Sequence, residues 1–426
     1  MLLQLTDGTT TLTLSGSGTY LGATYFPQAP ANNAIEITET TTLVLEGTGD
    51  SIRSAVNSIE LMLHAARNRL ATLAPKVYIE FRPVDSGDIF RAEVLDGAVI
   101  WPTAPAKRYL YGTTNTVEVA VIWTRRALWQ ASTEEEIYLS SNTQTERIGG
   151  VTIYGNDNVG NTNWVGITSA RVNGTRPAPV RIRVTNQSGS TLAWRNIYIG
   201  NNAFSAPTSA DVWLLGSEAT GGAAQSWAAG IDHNTIMWQF PLTATLLGQA
   251  QGRTFRVLVA FDNISAAAYV RASVGSYIGS VYAAQRTGKE RYGAGELVDL
   301  GAFPIPPGGY NAANAGAALA ITVRSSSSGT GQIDFVQLLP TDSYRKLEQI
   351  GYNAANGDSI EDDGNENTTY FLTGSSKYPI VRPGPPLLIY PERAQRLYVL
   401  FDENGAFVAG RQMTIQAWYR PVYDNV

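Results

Sequence analysis

A mainly β fold is predicted, and three observations predict it. Thr, Gly, Ser, Asn, Tyr and Val are abundant while Lys and long Leu/Ala/Glu runs are scarce, a bias that suits pleated strands and the turns between them. Short apolar alternations recur between turn clusters along most of the chain. Only one segment carries a strong helical stripe. With 44% hydrophobic and only 16% charged residues the chain is an ordered globular protein, and 426 residues are too many for one ordinary core. Two or three domains are therefore expected.

The N-terminal stretch opens with a weak alternation over 2–14 and a second strand over 35–46, carried by Ile35, Ile37, Leu43 and Leu45. Ile52, Val56, Ile59, Leu63, Ala66 and Leu70 then recur at spacings of three and four, which predicts an amphipathic helix over 51–72. Asp50 or Ser51 can cap it and Pro75 ends it. A lone helix among strands needs a flat apolar partner, so it must lie across a sheet. Val77, Ile79 and Phe81 share one face of the next strand, and Val117, Val119, Val121 and Trp123 one face of another. Between them, residues 90–94 and 98–101 read as a hairpin around Asp96-Gly97. This unit, taken as 1–130, is expected to be a β-sandwich carrying the helix.

Residues 131–163 form a polar linker or arm with one short strand at 150–154 and an Asn-rich turn. From 164 to 345 short strands alternate with turns, clearest at Phe255, Val257, Val259 and Phe261, and this stretch reads as a jelly-roll-like sandwich. A C-terminal β region, 346–426, begins with the acidic stretch 358–366 and ends in closing strands; it is expected to return and pair with 150–154.

Bulk charge narrows the function. The net charge is −5 with no basic stripe, which gives no support to nucleic-acid binding. Lys occurs only at 76, 107, 289, 346 and 377; the remaining cations are Arg, whose planar guanidinium suits subunit interfaces. The absence of Cys excludes disulfides, thiolate metal sites and thiol nucleophiles. The opening MLLQLTDGTTTLTL lacks the basic start and apolar core of a signal peptide, and no apolar run approaches a membrane span. The expectation is synthesis in cytoplasm without membrane insertion.

The candidate chemistry is sparse. His64 flanks the helical stripe and His233 sits in a turn before a strand, with no Gly-x-Ser-x-Gly elbow for a triad. Asp358, Asp362 and Asp363 supply oxygens for a weak Ca²⁺ candidate, without the regular spacing of a calcium loop. No cofactor motif is present: Gly221-Gly-Ala-Ala is not followed by a Lys-Ser/Thr step. Trp194, Trp213, Trp227, Trp238, Tyr277 and Tyr282 are the aromatics available for stacking on sugar rings in the middle module, or for an interface. Trp101, Trp123 and Trp129 are interface candidates in the N-terminal unit, each weighed against a core role.

Several segments carry a family resemblance. They are the helix 51–72, the strand VYIEFRP at 77–83, and the run FRAEVLDGAVIW…TVEVAVIWTRRALW over 90–129. To these are added Arg176-Pro-Ala-Pro-Val-Arg-Ile-Arg-Val, Asp334-Phe-Val-Gln-Leu-Leu-Pro-Thr-Asp, and the closing segment 385–423 with its Tyr419-Arg-Pro. Together they resemble siphophage distal tail proteins and minor tail proteins, which place a carbohydrate-binding-like sandwich inside or after the ring unit. The resemblance implies a non-enzymatic virion component at the tail tip, or baseplate. It would form a homo-oligomeric ring, a hexamer before a trimer, touching tail-tube and tail-hub proteins, with a host-surface glycan as a further partner. Two other readings stand beside it: a glycan-binding receptor-recognition module, or adhesin, and a tail-tube subunit that would polymerise without closing.

Overall fold

The computed structural model describes residues 1–31, 34–72, 74–83, 87–101, 108–111, 114–155, 163–202, 212–243, 246–247, 252–278, 281–288, 290–293, 297–305, 315–348, 351–380, 384–403 and 410–426. The fold is mainly β, in several antiparallel sheets. The chain forms two compact units. Unit 1 holds Met1–Glu135, Asn173–Arg176 and Arg420–Val426; unit 2 holds Glu136–Val172 and Pro177–Tyr419. The linker, the middle stretch and most of the C-terminal stretch thus share one unit.

Unit 1 is one ten-stranded sheet with a helix on it. Its main order is Thr11–Thr13, Leu2–Thr6, Val77–Arg82, Phe90–Ile100, Thr114–Arg126, Glu36–Gly47 and Thr19–Leu21. Period two sorts the side chains: Val77, Ile79 and Phe81 are buried while Tyr78, Glu80 and Arg82 are half-buried. The helix spans Gly49–Arg67, capped by Thr48, whose Oγ1 accepts from the Ser51 amide at 3.2 Å. It buries Ile52, Val56, Ile59, Met62, Leu63 and Ala66, all on the predicted stripe except Met62. The expected last turn fails. The helix stops at Asn68, and Leu70 in the short helix Arg69–Thr72 is 87% exposed.

Asp96-Gly97 does not make a hairpin. Phe90–Ile100 is one continuous strand with a bulge between Val94 and Asp96. A Cβ at position 97 would lie 2.7 Å from the Ile122 carbonyl oxygen and 2.8 Å from Leu63 Cδ2, so glycine is what lets the helix reach the sheet. Arg67 Nε donates to Asp96 Oδ1 at 2.5 Å and its Nη2 to the Gly97 carbonyl at 3.0 Å. The dipeptide is a helix dock.

The C-terminal segment completes this sheet. Val422–Tyr423 pairs with Trp129–Ala131, which itself pairs with Phe90–Ile100. The Arg420 guanidinium donates to the Ser132 carbonyl. Gly174, at φ +110°, brings its loop so near Val422 that a Cβ would sit 2.7 Å from the Val422 carbonyl oxygen, and the Thr175 amide donates to that oxygen at 2.8 Å.

In unit 2 the first sheet runs Arg411–Tyr419, Ala178–Asn186, Ser359–Asp363, Thr368–Thr373 and Ser376–Pro379, with Val151–Gly155 also pairing with Arg411–Tyr419. The second runs Trp164–Ile167, Gln395–Glu403, Leu192–Asn202 and Tyr344–Leu347. The third (Trp213–Leu215, Gly329–Pro340, Thr254–Ile264, Val298–Pro304) and fourth (Ile236–Pro241, Ala315–Arg324, Tyr269–Ile278, Val281–Thr287) share one core. Phe255, Val257 and Val259 meet Val270, Leu319 and Ile321 there, as a sandwich requires. The strands from 164 to 202, expected with that middle sandwich, pair instead with strands after 344. Their partners are long apolar alternations far along the chain, which local spacing does not reveal.

Candidate functional site

Most of the aromatics singled out for stacking are core. Trp194, Trp213, Trp227 and Trp238 are 1%, 3%, 6% and 0% exposed. Trp213 stacks on Phe335 with ring centroids 3.8 Å apart, and Trp238 Nε1 donates to the Ala223 carbonyl at 2.7 Å. None offers a ring face to a sugar. The side chains of Tyr277 and Tyr282 lie outside the described residues. In unit 1, Trp123 and Trp129 are buried and Trp101 is exposed.

The acidic stretch 358–366 is a strand, Ser359–Asp363, and a turn rather than a loop. Period two sends its carboxylates to different partners. Asp358 accepts from the Ala355 amide at 2.9 Å, and Asp362 is buried against Arg345 at 3.1 Å and Thr369 at 2.6 Å. Asp363 accepts from the Asn365 and Glu366 amides. The three do not converge, and among the described residues no group of His, Cys, Asp and Glu is arranged to hold a metal ion.

His64 is exposed in the last turn of the helix. His233 is engaged. Its Nε2 lies 2.8 Å from Glu290 Oε2 and its Nδ1 2.8 Å from Thr322 Oγ1. Burial holds the imidazole below its ordinary pKa, against the pull of Glu290. Arg324 grips the same carboxylate through Nε at 2.6 Å and Nη2 at 2.5 Å. Hydrogen bonds from Arg324 and then His233 draw the Glu290 carboxyl down to about 2.

Two further polar centres were not anticipated. In unit 1, Glu39 and Arg125 form a buried ion pair at 2.7 Å, with side chains 2% and 0% exposed. Every strong valence is used. Tyr25 Oη and Trp123 Nε1 donate to Glu39 at 2.6 and 3.1 Å, as does the Gln28 amide at 2.7 Å. Arg125 also donates to the carbonyls of Arg126, Ala127 and Gln28, and lies over the Trp129 ring at 4.4 Å. Burial alone would raise the Glu39 carboxyl, but hydrogen bonds from Arg125 and Tyr25 outweigh it and hold the group below its ordinary value.

In unit 2 a groove of about 720 Å³ opens among strands of the second and third sheets. Tyr344 and Lys346 stand two apart on one strand and so share a face, with the buried Arg345 and Leu347 on the other. Tyr198 faces Lys346 across the ladder. From the third sheet Arg256 Nη1 donates to both oxygens of Asp299, at 2.9 and 2.7 Å, while its guanidinium lies 5.2 Å over the Tyr344 ring. Lys346 pairs with Glu348 at 2.5 Å, and Arg195 and Arg291 add two more cations to the wall. The Arg256 Nε and Tyr344 Oη are buried with no hydrogen-bond partner among the described residues. Burial, with the charge of Asp299, raises the Tyr344 pKa far enough to keep the hydroxyl protonated. The signal available in the sequence was polar residues at alternate positions of apolar strands, such as Arg256 between Phe255 and Val257.

No protein-family model matches the chain, and no curated protein matches it.

Proposed function

We propose that the protein is a non-enzymatic structural component of a phage tail tip, in which unit 1 assembles into a homo-oligomeric ring and unit 2 is the module it carries. The observation that carries this reading is the completion of the unit 1 sheet by Arg420–Val426, after all of unit 2 (136–172 and 177–419) has intervened. The chain leaves unit 1 after Glu135, touches it again at Asn173–Arg176 and returns to it at Arg420. A frame built that way keeps its assembly surface while bearing a large insertion.

Unit 1 also has a surface suited to joining copies. Glu36–Gly47 pairs along its length with Thr114–Arg126, but on its other side only Leu43, Val44 and Leu45 have strand partners among the described residues. Among the described residues 36–41 have no strand partner on that side, where the segment 22–28 runs past with its Gly22 amide on the Thr42 carbonyl, and such a stretch can accept a further strand. Phe26 and Ile35, 77% and 71% exposed, belong to the segment leading into it. A heterologous contact of this kind closes into a ring when its rotation divides the circle, six-fold before three-fold by the family resemblance. The ring would sit at the distal end of a tail tube in the virion, after synthesis in the host cytoplasm.

Negative-stain microscopy of the purified chain at rising concentration tests the reading. Closed rings with a central channel are expected, and Ile35→Asp should disperse them into monomers. Open filaments would favour a tail-tube subunit instead. Monomers at every concentration, with or without the substitution, would remove the support for self-assembly.

A further inference from the structure

We infer that the unit 2 groove is a binding site for a carboxylate-bearing saccharide, held by Arg291, Lys346 and Arg256 around the hydroxyl of Tyr344. This goes beyond the assembly reading and does not depend on it.

Charge sets the first requirement. Four cationic side chains line the groove, Arg195, Arg256, Arg291 and Lys346, against the two carboxylates of Asp299 and Glu348. Each carboxylate is already engaged by a lining cation, Asp299 by Arg256 and Glu348 by Lys346. The excess is positive in a protein whose net charge is −5, so it is a local feature and favours an anion. Guanidinium groups match the paired oxygens of a carboxylate, as they do those of a phosphate.

Unmet hydrogen bonding sets the second. A buried hydroxyl without a partner forfeits its hydration with nothing in return, and native structures rarely keep one without a reason. Here two buried groups of one groove, Tyr344 Oη and Arg256 Nε, have no partner among the described residues. Both can donate: the tyrosine is held protonated by its burial, and the guanidinium is always charged. A ligand that brings acceptor oxygens satisfies both.

Shape and lining choose between an acidic saccharide and an acidic peptide. A volume of about 720 Å³ lies within the range of small-ligand clefts. Peptide anchors need deep apolar or aromatic pockets, whereas Leu297, Val298 and Tyr198 are almost wholly buried and the accessible wall mixes Asn196, Thr341 and charged heads with Pro385 and part of Tyr344. Such a wall suits the many hydroxyls of a sugar.

The test is titration calorimetry on the full chain with oligogalacturonate, a glucuronate-containing oligosaccharide and sialyllactose, each beside its neutral or methyl-esterified counterpart. At least one acidic ligand should bind, weaken as salt rises and lose its affinity on esterification. Tyr344→Phe and Arg291→Ala should each lower that affinity about tenfold while the unfolding midpoint stays close to that of the parent chain. No heat with any acidic saccharide would overturn the inference. So would equal binding by the neutral forms, or binding that neither substitution changes. An acidic peptide that binds where the saccharides do not would also overturn it. Ring formation is read separately, by microscopy without ligand, so loss of either result leaves the other standing.

Discussion

Glu39–Arg125 with Tyr25 in unit 1 and Asp299–Arg256 with Tyr344 in unit 2 use the same three kinds of side chain to opposite ends. In the first, the tyrosine hydroxyl donates to the carboxylate at 2.6 Å and the guanidinium is surrounded by carbonyls. In the second, the guanidinium engages the carboxylate but covers the tyrosine ring, and the hydroxyl has no partner among the described residues. A buried ion pair that meets all its own hydrogen-bonding needs is a structural joint. The partly exposed pair of unit 2, which leaves donors unmet among the described residues beside a groove, is prepared for something else. The residue types alone do not separate the two; their satisfaction does.

The sharpest way to break this comparison is to unbalance the closed centre. Arg125→Met leaves the Glu39 carboxylate buried without its counter-charge, and about 3–5 kcal/mol should be lost. Replacing Glu39 by Leu in the same chain should recover much of that loss, because both charges are then gone. Urea denaturation measures both, and a double variant as unstable as the single one would show that the pair is not the self-contained joint described. Gly97→Ala probes how tightly the same unit is packed. Its Cβ would overlap the Ile122 carbonyl oxygen and Leu63, so a cost of about 1–3 kcal/mol is expected, read from the same denaturation curves. An unchanged midpoint would mean the helix can retreat from the sheet.

The His233–Glu290–Arg324 network is intermediate, being satisfied but partly open to solvent. The Glu290 carboxyl titrates at about 2 in the folded chain against an ordinary 4.5. Its contribution is therefore complete above 4.5 and is lost as the pH falls from there toward 2. The His233 imidazole, held below its ordinary 6.5, acts in the same direction, since acid must place a proton that the fold disfavours. Melting temperature should decline on acidification from pH 7, and Glu290→Gln should flatten the lower part of that decline. A profile unaltered by the substitution would remove Glu290 from the account. The smallest effect belongs to the open centre. Tyr344→Phe deletes a hydroxyl that has no partner among the described residues, so stability should stay within about 1 kcal/mol or rise. A large loss would reveal a structural hydrogen bond there and dissolve the contrast between the two centres.

The parts legible in the sequence were those governed by local period. The stripe from Ile52 to Ala66 and the alternation from Phe255 to Val259 bury as their spacing requires. The failures have physical causes beyond the local window. Asp-Gly is a strong turn signal, yet at 96–97 the approach of Leu63 demands the glycine and the strand runs through. Leu70 fits the stripe but follows the stop at Asn68. A tryptophan on a strand reads alike whether it faces core or solvent, which is why Trp194, Trp213, Trp227 and Trp238 could not be placed. The groove was hidden for another reason. Its wall joins Arg195, Arg256, Asp299 and Tyr344 from four separate strands or their edges, and pairing between such distant segments leaves no mark in either one.

The nesting of the chain dictates an order of birth. Strands from 164 to 202 wait for partners after 344, and the frame begun at Met1 waits for Val422 and Tyr423. On a ribosome the innermost sandwich, within 212–340, emerges entire before either of the layers around it can be finished. The sheet that would meet neighbouring copies receives its last strand only after the whole of its passenger has been made. A nascent chain stalled or cut inside unit 2 would lack that strand, so an incomplete module would announce itself as a frame that is also incomplete.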